Sequence, residues 1–517
     1  MWFNRYIIKI GLIMNSYKKF VLILLAFTML SAPCTFAIDD PAQIQQTEAQ
    51  NIKVKKGSTL SLNDCIAIAL NNSPAVKNAQ YDYMISKTDV NLAKSEFFPT
   101  IGLGAGYDFA YTHTKRRNTD VNTYNLNASL NMLLFDFGKT YAFIKMQKFY
   151  LIADEYNFYN TVREITFDVK KKYYEVLASR ANVLINEAYV DINERNYQRT
   201  KAYYDEGLKS KIDLVNAEVT LSDSKIGLIQ SQTNYENAVV NLNNAMYLVD
   251  APSYEIEGNF GFSIKDNTAP VDLTKFHKIT SKEDDKTPVA VEDAKFTSAV
   301  EKLELLTEFQ IDKFPYTFEE CVKMANKNRA DIKAYEATVK AIDENLLYIK
   351  RNYYPSISAS AGYGLRDANN TDATSSLNAG VNLTSSLNIM AQKNRVDAGK
   401  YHLEQAKITL DQLQKDVYFA VQNTYIDMVQ LEKQIPLQAV KVRQTRENYE
   451  LAEGRYYVGL GDYIQLQDAK VNYNNAQHSY IESIYNYNVA IANLESVIAM
   501  PQRVTKTLEG KKNGRKK

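Results

Sequence analysis

The stretch Tyr456-Tyr457-Val458-Gly459-Leu460-Gly461-Asp462-Tyr463-Ile464-Gln465-Leu466-Gln467-Asp468-Ala469 decides the fold. It joins two long segments of helical periodicity. A gap-free twin lies 252 residues earlier, Tyr204-Asp205-Glu206-Gly207-Leu208-Lys209-Ser210-Lys211-Ile212-Asp213-Leu214-Val215-Asn216-Ala217, sharing Tyr, Gly, Leu, Ile, Leu and Ala. A Gly at the end of strong helical periodicity reads as a C-cap followed by a reversal. Each copy is therefore the tip of a helical hairpin.

Outward from the tips, the whole chain proves to be duplicated. Leu62–Tyr107 aligns with Phe318–Tyr363 at an offset of 256, pairing Cys65 with Cys321, Ala69 with Ala325, Pro99 with Pro355 and Gly106 with Gly362. Repetition over so long a unit implies two pseudo-symmetric halves rather than a solenoid. The first repeat is assigned to 38–249 and the second to 316–500. Each opens on a capped short helix, Ser61-x-x-Asp64 before about 62–72 and Thr317-x-x-Glu320 before about 318–328. A second helix, about 75–97 and 331–353, stops at Phe97-Phe98-Pro99 and Tyr353-Tyr354-Pro355, since proline excludes helix from the residue before it.

The apolar period then changes from 3.6 to 2. Strands are expected at about 99–111, 124–135, 355–365 and 376–387, with a polar loop from Thr112 to Thr123. One face carries residues such as Ile101, Leu103, Tyr107, Leu126 and Leu130; the other carries Gly, Asn and Ser. Such length and alternation suit tilted strands of an outer-membrane barrel, with a small, uncharged wet face as channel lining. Four strands cannot close around a pore. Open edges in lipid are forbidden. The chain must therefore oligomerise, and three copies give a 12-stranded barrel.

Helical periodicity resumes over about 139–205 and 391–456, the latter with a kink expected at Pro436. Each long helix spans roughly 100 Å. The return helices, about 209–248 and 462–499, together with the helices before the strands, nearly match that length, so two short helices can lie end to end beside one long one. The return helices carry a seven-residue repeat of one large and one small residue. Leu214, Leu221, Leu228, Tyr235, Leu242 and Val249 alternate with Ala217, Ser224, Ser231, Ala238 and Ala245; Leu466, Tyr473, Tyr480, Tyr487 and Leu494 alternate with Ala469, Ala476, Ser483, Ala490 and Val497. That pattern predicts close antiparallel coiled-coil packing, a thin wall rather than a thick core.

The remaining features bound the function. Basic and acidic residues number 61 and 60, which gives no argument for nucleic acid as a partner. Lys18-Lys19, an apolar run from Phe20 to Leu30 and Thr35-Phe36-Ala37 form a signal peptide over 1–37, with Met14 an alternative start. Cys34 suggests lipidation, but Ser31 and Pro33 depart from the lipobox pattern. Cys65 and Cys321, on apolar helical faces, read as small buried hydrophobes. Segment 250–315 loses periodicity and reads as a linker or collar, with one helix expected near Thr297–Phe309; 501–517 is a basic tail. His113, His277, His402 and His478 have no metal-ligand spacing, and no catalytic motif is found, so neither an enzyme nor a cofactor is expected.

Duplicated helix–strand–strand–helix units with Pro at each switch and a Tyr-x-x-Gly-Leu-x-x-x-Ile-x-Leu-x-x-Ala tip resemble the TolC family of outer-membrane efflux proteins. The resemblance implies a homotrimer in which a 12-stranded barrel in outer-membrane lipid continues into a helical periplasmic tunnel. It further implies an exit duct for a tripartite efflux pump or type I secretion system, with a periplasmic adaptor and an inner-membrane transporter of RND, ABC or MFS type. Adaptor docking would fall on Gly207, Leu208, Val458, Gly459 and Leu460, and a periplasmic gate on Asp213, Tyr456, Gln465 and Asp468. Gly461 and Gln465 stand where family members often carry Arg and Asp, so Lys209 or Lys211 is expected to pair with Asp213 or Asp462 instead. Leu387-Asn388-Ile389-Met390 lacks the family's Gly turn, which Phe135-Asp136-Phe137-Gly138 keeps. The rival architecture is a structural or adhesive surface coiled coil, which would have no use for the strands.

Overall fold

The computed structural model describes residues 56–113, 118–258, 314–368, 373–386 and 388–500. The expected signal peptide with Cys34, the helix near Thr297–Phe309 and the basic tail lie outside them. Two capping boxes start the two repeats. Ser61 and Asp64 cap α1 (Leu62–Asn72), and Thr317 and Glu320 cap α5 (Phe318–Asn328). Next come α2 (Pro74–Ser95) and α6 (Ala330–Arg351), whose ends precede the two proline elbows.

The strands are β2 (Thr100–His113), β3 (Asn118–Phe135), β5 (Ser356–Ala368) and β6 (Thr374–Thr384). They form one antiparallel sheet in the order β2-β3-β5-β6. The polar loop expected over Thr112–Thr123 is much shorter, because β2 and β3 stay paired out to His113 and Asn118. Polar side chains did not end these strands because cross-strand backbone pairing, not apolar alternation, sets their length.

Register keeps the two faces distinct across all four strands. Ile101 opposes Leu130 and Tyr107 opposes Tyr124. Leu126 opposes Leu365, and Tyr363 opposes Leu377. On the other face, Gly102 faces Ser129 and Gly104 faces Asn127, so closely that a Cβ on Gly104 would lie 2.3 Å from the Asn127 oxygen. Outward apolar side chains such as Leu103, Phe109 and Val381 are exposed within the chain.

The long helices are α3 (Lys139–Asp205) and α7 (Ile389–Tyr457), the latter running through Pro436. The return helices are α4 (Lys211–Ala245) and α8 (Tyr463–Val497). Helix α3 packs along α2 and α4 of its own repeat and along α6 and α8 of the other; α7 packs on α6 and α8. The helical layer is thus a strip, α2/α4, then α3, then α6/α8, then α7, with two short helices beside each long one. None of the described helices is long and apolar enough to cross a membrane.

The alternating large and small residues are buried much as their spacing predicts. Leu214, Ala217, Leu221, Ser224, Ala238 and Leu242 are buried in α4, and Leu466, Ala469, Ala476, Tyr480, Ser483, Tyr487 and Leu494 in α8. Val249 lies beyond the end of α4 and is exposed. Cys65 and Cys321 are buried free thiols in one shared core. Burial pushes the Cys65 thiol up to about 12 and that of Cys321 to about 11, which leaves both unreactive.

The beginning of the 250–315 segment is not a free linker. Glu255–Ile256 (β4) pairs in parallel with Thr59–Leu60 (β1). The Tyr173 hydroxyl donates to the Glu257 carbonyl, and Arg180 donates to the carbonyl of Ile256 at 3.1 Å. Ala476 has no exposed surface, so Ala476→Leu should cost about 1–3 kcal/mol through overpacking. Helical circular dichroism on heating should show a lower melting temperature for that variant and none for Asn475→Leu on the exposed face.

Candidate functional site at the helical tips

Both tips are built the same way. Helix α3 ends with Gly207 at φ +76° and α7 with Gly459 at φ +78°. Gly207 N donates to the Tyr204 carbonyl at 2.9 Å and Leu208 N to that of Tyr203 at 2.8 Å. Gly459 N and Leu460 N repeat this on Tyr456 and Arg455, at 3.2 and 2.9 Å. These paired bonds form a Schellman motif, whose left-handed residue favours glycine. The turns project Leu208 (66% exposed), Leu460 (73%) and Val458 into solvent.

The helices that follow are capped at once. Ser210 accepts from Asp213 N, while the Asp213 carboxylate accepts from Ser210 N at 3.1 Å and Ser210 Oγ at 2.8 Å. Asp462 accepts from Gln465 N at 2.7 Å. The expected Lys–Asp pairing therefore does not form within the chain. Lys209 Nζ lies 3.9 Å from the centroid of the Tyr456 ring, and Lys211 Nζ lies 5.5 Å from that of Tyr204. Each aspartate is oriented toward the start of its own helix by its cap bonds, and the ammonium groups lie over aromatic faces instead.

Tyr456 is 2% exposed and packs with Tyr449, Leu466 and Ala469. Burial, reinforced by the nearby Asp213 carboxylate, raises its phenol above the ordinary value. Two residues singled out from the sequence, Asp213 and Tyr456, thus come together. Gln465 and Asp468 lie three residues apart on the exposed face of α8. Gly461 also has a local reason: a Cβ there would lie 3.2 Å from Tyr456 N and from Arg455 Cβ.

One tip feature has no counterpart in the sequence reading. Lys470, on α8, is 3% exposed, and Nζ donates to Asn193 Oδ1 of α3 at 3.4 Å. Burial lowers its pKa to about 8, with Arg199 adding repulsion and Glu453 opposing it. Around it, Tyr457 donates to Asn196 at 2.9 Å and Arg199 lies 3.5 Å from Glu453. Lys470 sits one residue past the small position Ala469, where heptad spacing alone gives no sign that α3 covers it.

The sequence profile described as outer membrane efflux protein matches residues 65–246 and 321–499, one match per repeat. The chain belongs to the outer membrane efflux protein family. It is 24% identical over 196 residues to the alkaline protease secretion protein AprF of Pseudomonas aeruginosa, an alignment covering 37% of this chain and only 40% of AprF. Against the outer membrane protein TolC of Escherichia coli it is 18% identical over 442 residues, covering 83% of this chain and 80% of TolC. The Campylobacter jejuni CmeC outer membrane channel has the same fold, with a TM-score of 0.66 at 14% identity, covering 87% of this chain and 88% of CmeC.

The buried lysine makes a distinct prediction for this family member. An unfolded lysine titrates near 10.5 and the folded one near 8. Between those values the unfolded state binds more protons, so Lys470 should make stability rise with pH across that window. Lys470→Met should be more heat-stable than the parent at pH 7.5, and the difference should shrink by pH 9.5. A gap that stays constant with pH would mean that Lys470 is solvated.

Proposed function

We propose that the chain is the outer-membrane exit duct of a tripartite efflux pump or a type I secretion system. It works as a homotrimer, passive in itself and opened when an adaptor and an inner-membrane transporter engage it. Family membership supports the class of function. The observation that carries the trimer is the pair of open edges. Among the described residues, β2 and β6 each have a neighbour on one side only.

The helical strip ends in matching fashion. Its α4 edge exposes Ile212, Val219, Ile226 and Ile229, and its α7 edge exposes Tyr401, Ile408, Phe419 and Leu437. Apolar rows of this length on a soluble helix call for a partner. Within the chain, α3 of the first repeat lies against α6 and α8 of the second. By the same relation, α7 of one copy meets α2 and α4 of the next, and β6 meets β2. Six units related in this way form a ring of three chains, with 12 strands in outer-membrane lipid and the helices in the periplasm.

In this arrangement the tips ring the tunnel mouth. Leu208, Val458 and Leu460, on turns fixed by Gly207 and Gly459, offer the adaptor an apolar contact. Asp213, Tyr456, Gln465 and Asp468 form the gate, with Gln465 and Asp468 on the face turned to the lumen. Three Asp468 carboxylates in a narrow wet passage favour cations.

The detergent-extracted protein should have three times the mass of the processed chain, which is the 58.9 kDa full length less residues 1–37. In a planar bilayer under a salt gradient, Asp468→Asn should shift the reversal potential toward lower cation preference. A monomeric mass would overturn the duct, and an unchanged reversal potential would remove Asp468 from the gate. Leu208→Ser with Leu460→Ser should cut export severalfold while trimer and conductance persist; unimpaired export would exclude these tips as the docking site.

A further inference from the structure

The two repeats of one chain touch at a junction between strands and helices. The turn from β3 into α3 meets the elbow from α6 into β5. Phe137 and Tyr354 stack with ring centroids 5.3 Å apart, and the Arg351 guanidinium donates to the Gly138 carbonyl. A Cβ on Gly138 would meet only the movable end of Arg351, so it is the φ of +82° that favours glycine at this junction.

The repeat offsets place Phe98 where the second repeat has Tyr354, and Ser95 where it has Arg351. They place Ile389 and Met390 where the first repeat has Phe137 and Gly138. These counterparts do not meet within the chain, because they lie at its opposite open edges. We infer that the α2–β2 elbow of one chain seats on the β6–α7 turn of a second copy, with Phe98 covering Ile389 and Met390 as Tyr354 covers Phe137. The inference rests on the trimer reading given above.

Three observations carry it. Phe98 is 64% exposed, Ile389 70% and Met390 69%, so apolar surface stands open on both sides. Ser95 turns its hydroxyl to the Leu92 carbonyl at 2.6 Å and extends no guanidinium toward a neighbour. The second turn has no glycine at the equivalent positions, Ile389 and Met390. Phe137 and Gly138 both have positive φ, whereas Ile389 and Met390 are already helical, so that α7 starts earlier in its repeat than α3 does. The second turn needs no left-handed residue, because its backbone is already helical where the first turn has positive φ.

The test is thiol crosslinking of the assembled full-length protein with a short bis-maleimide. Phe98→Cys combined with Ile389→Cys should convert most of the monomer band on a denaturing gel to dimer and trimer bands, and neither single variant should do so. Phe137→Cys with Tyr354→Cys serves as the geometric control, losing both thiols without a gain in mass. If the mass in detergent is that of a trimer and the control links, but the Phe98/Ile389 pair yields no ladder, the inference falls and Phe98 faces lipid. If the mass in detergent is that of a monomer, the inference and the trimer reading fall together.

Discussion

Among the described residues, β2 and β6 each have a strand neighbour on one side only, and that is the constraint on which the rest of the structure depends. Each edge presents a row of N–H and C=O groups, and in hydrocarbon each unsatisfied group costs several kcal/mol. Water would tolerate such edges, but the outward faces of these strands carry Leu103, Phe109, Leu377 and Val381. A sheet with that face cannot remain in water as a single layer, and its edges cannot stay open in lipid. Closure in the proposed trimer would satisfy both demands at once. The helical strip has the same incompleteness in another form, because α4 is packed on one flank while its counterpart α8 is packed on two.

Duplication turns this constraint into a rule of assembly. The contact between the repeats inside a chain is already a complete interface, with strand pairing, helix packing and an elbow contact in register. In the proposed trimer its outward equivalent would use the same elements with different side chains. Ile481 of α8 is buried within the chain, while Ile229, at the equivalent place in α4, is exposed. The same apolar residue at both places supports one packing relation repeated around the proposed ring.

Much of this was legible from local pattern. Capping boxes, the proline elbows, the alternating strand faces and the seven-residue seams depend on neighbours close in sequence, and periodicity reports such neighbours well. The features without a local signature depend on residues far apart. The β1–β4 pair joins residues 59–60 to 255–256, and no two-residue strand has a readable period. Lys470 is buried because α3 crosses it at Asn193, a contact spanning 277 residues. The lengths of β2 and β3 were set by their pairing with each other, which carried both through residues that looked like loop.

The tips show how local rules can mislead about charge. Glycine at 461 suggested a lost cation, and the nearby lysines suggested a replacement for it. The local packing points elsewhere. Gly461 lies so close to the end of α7 that a side chain there would press on Arg455 and on the backbone of Tyr456. Arg455 itself reaches back toward the Leu460 carbonyl, with Nη2 3.5 Å away. The tip thus keeps a cation, supplied by the last turn of the helix, where the helix dipole also favours positive charge. Lys209 covers the Tyr456 ring, a contact with a neutral partner that is weak when exposed and less dependent on geometry than a carboxylate fork.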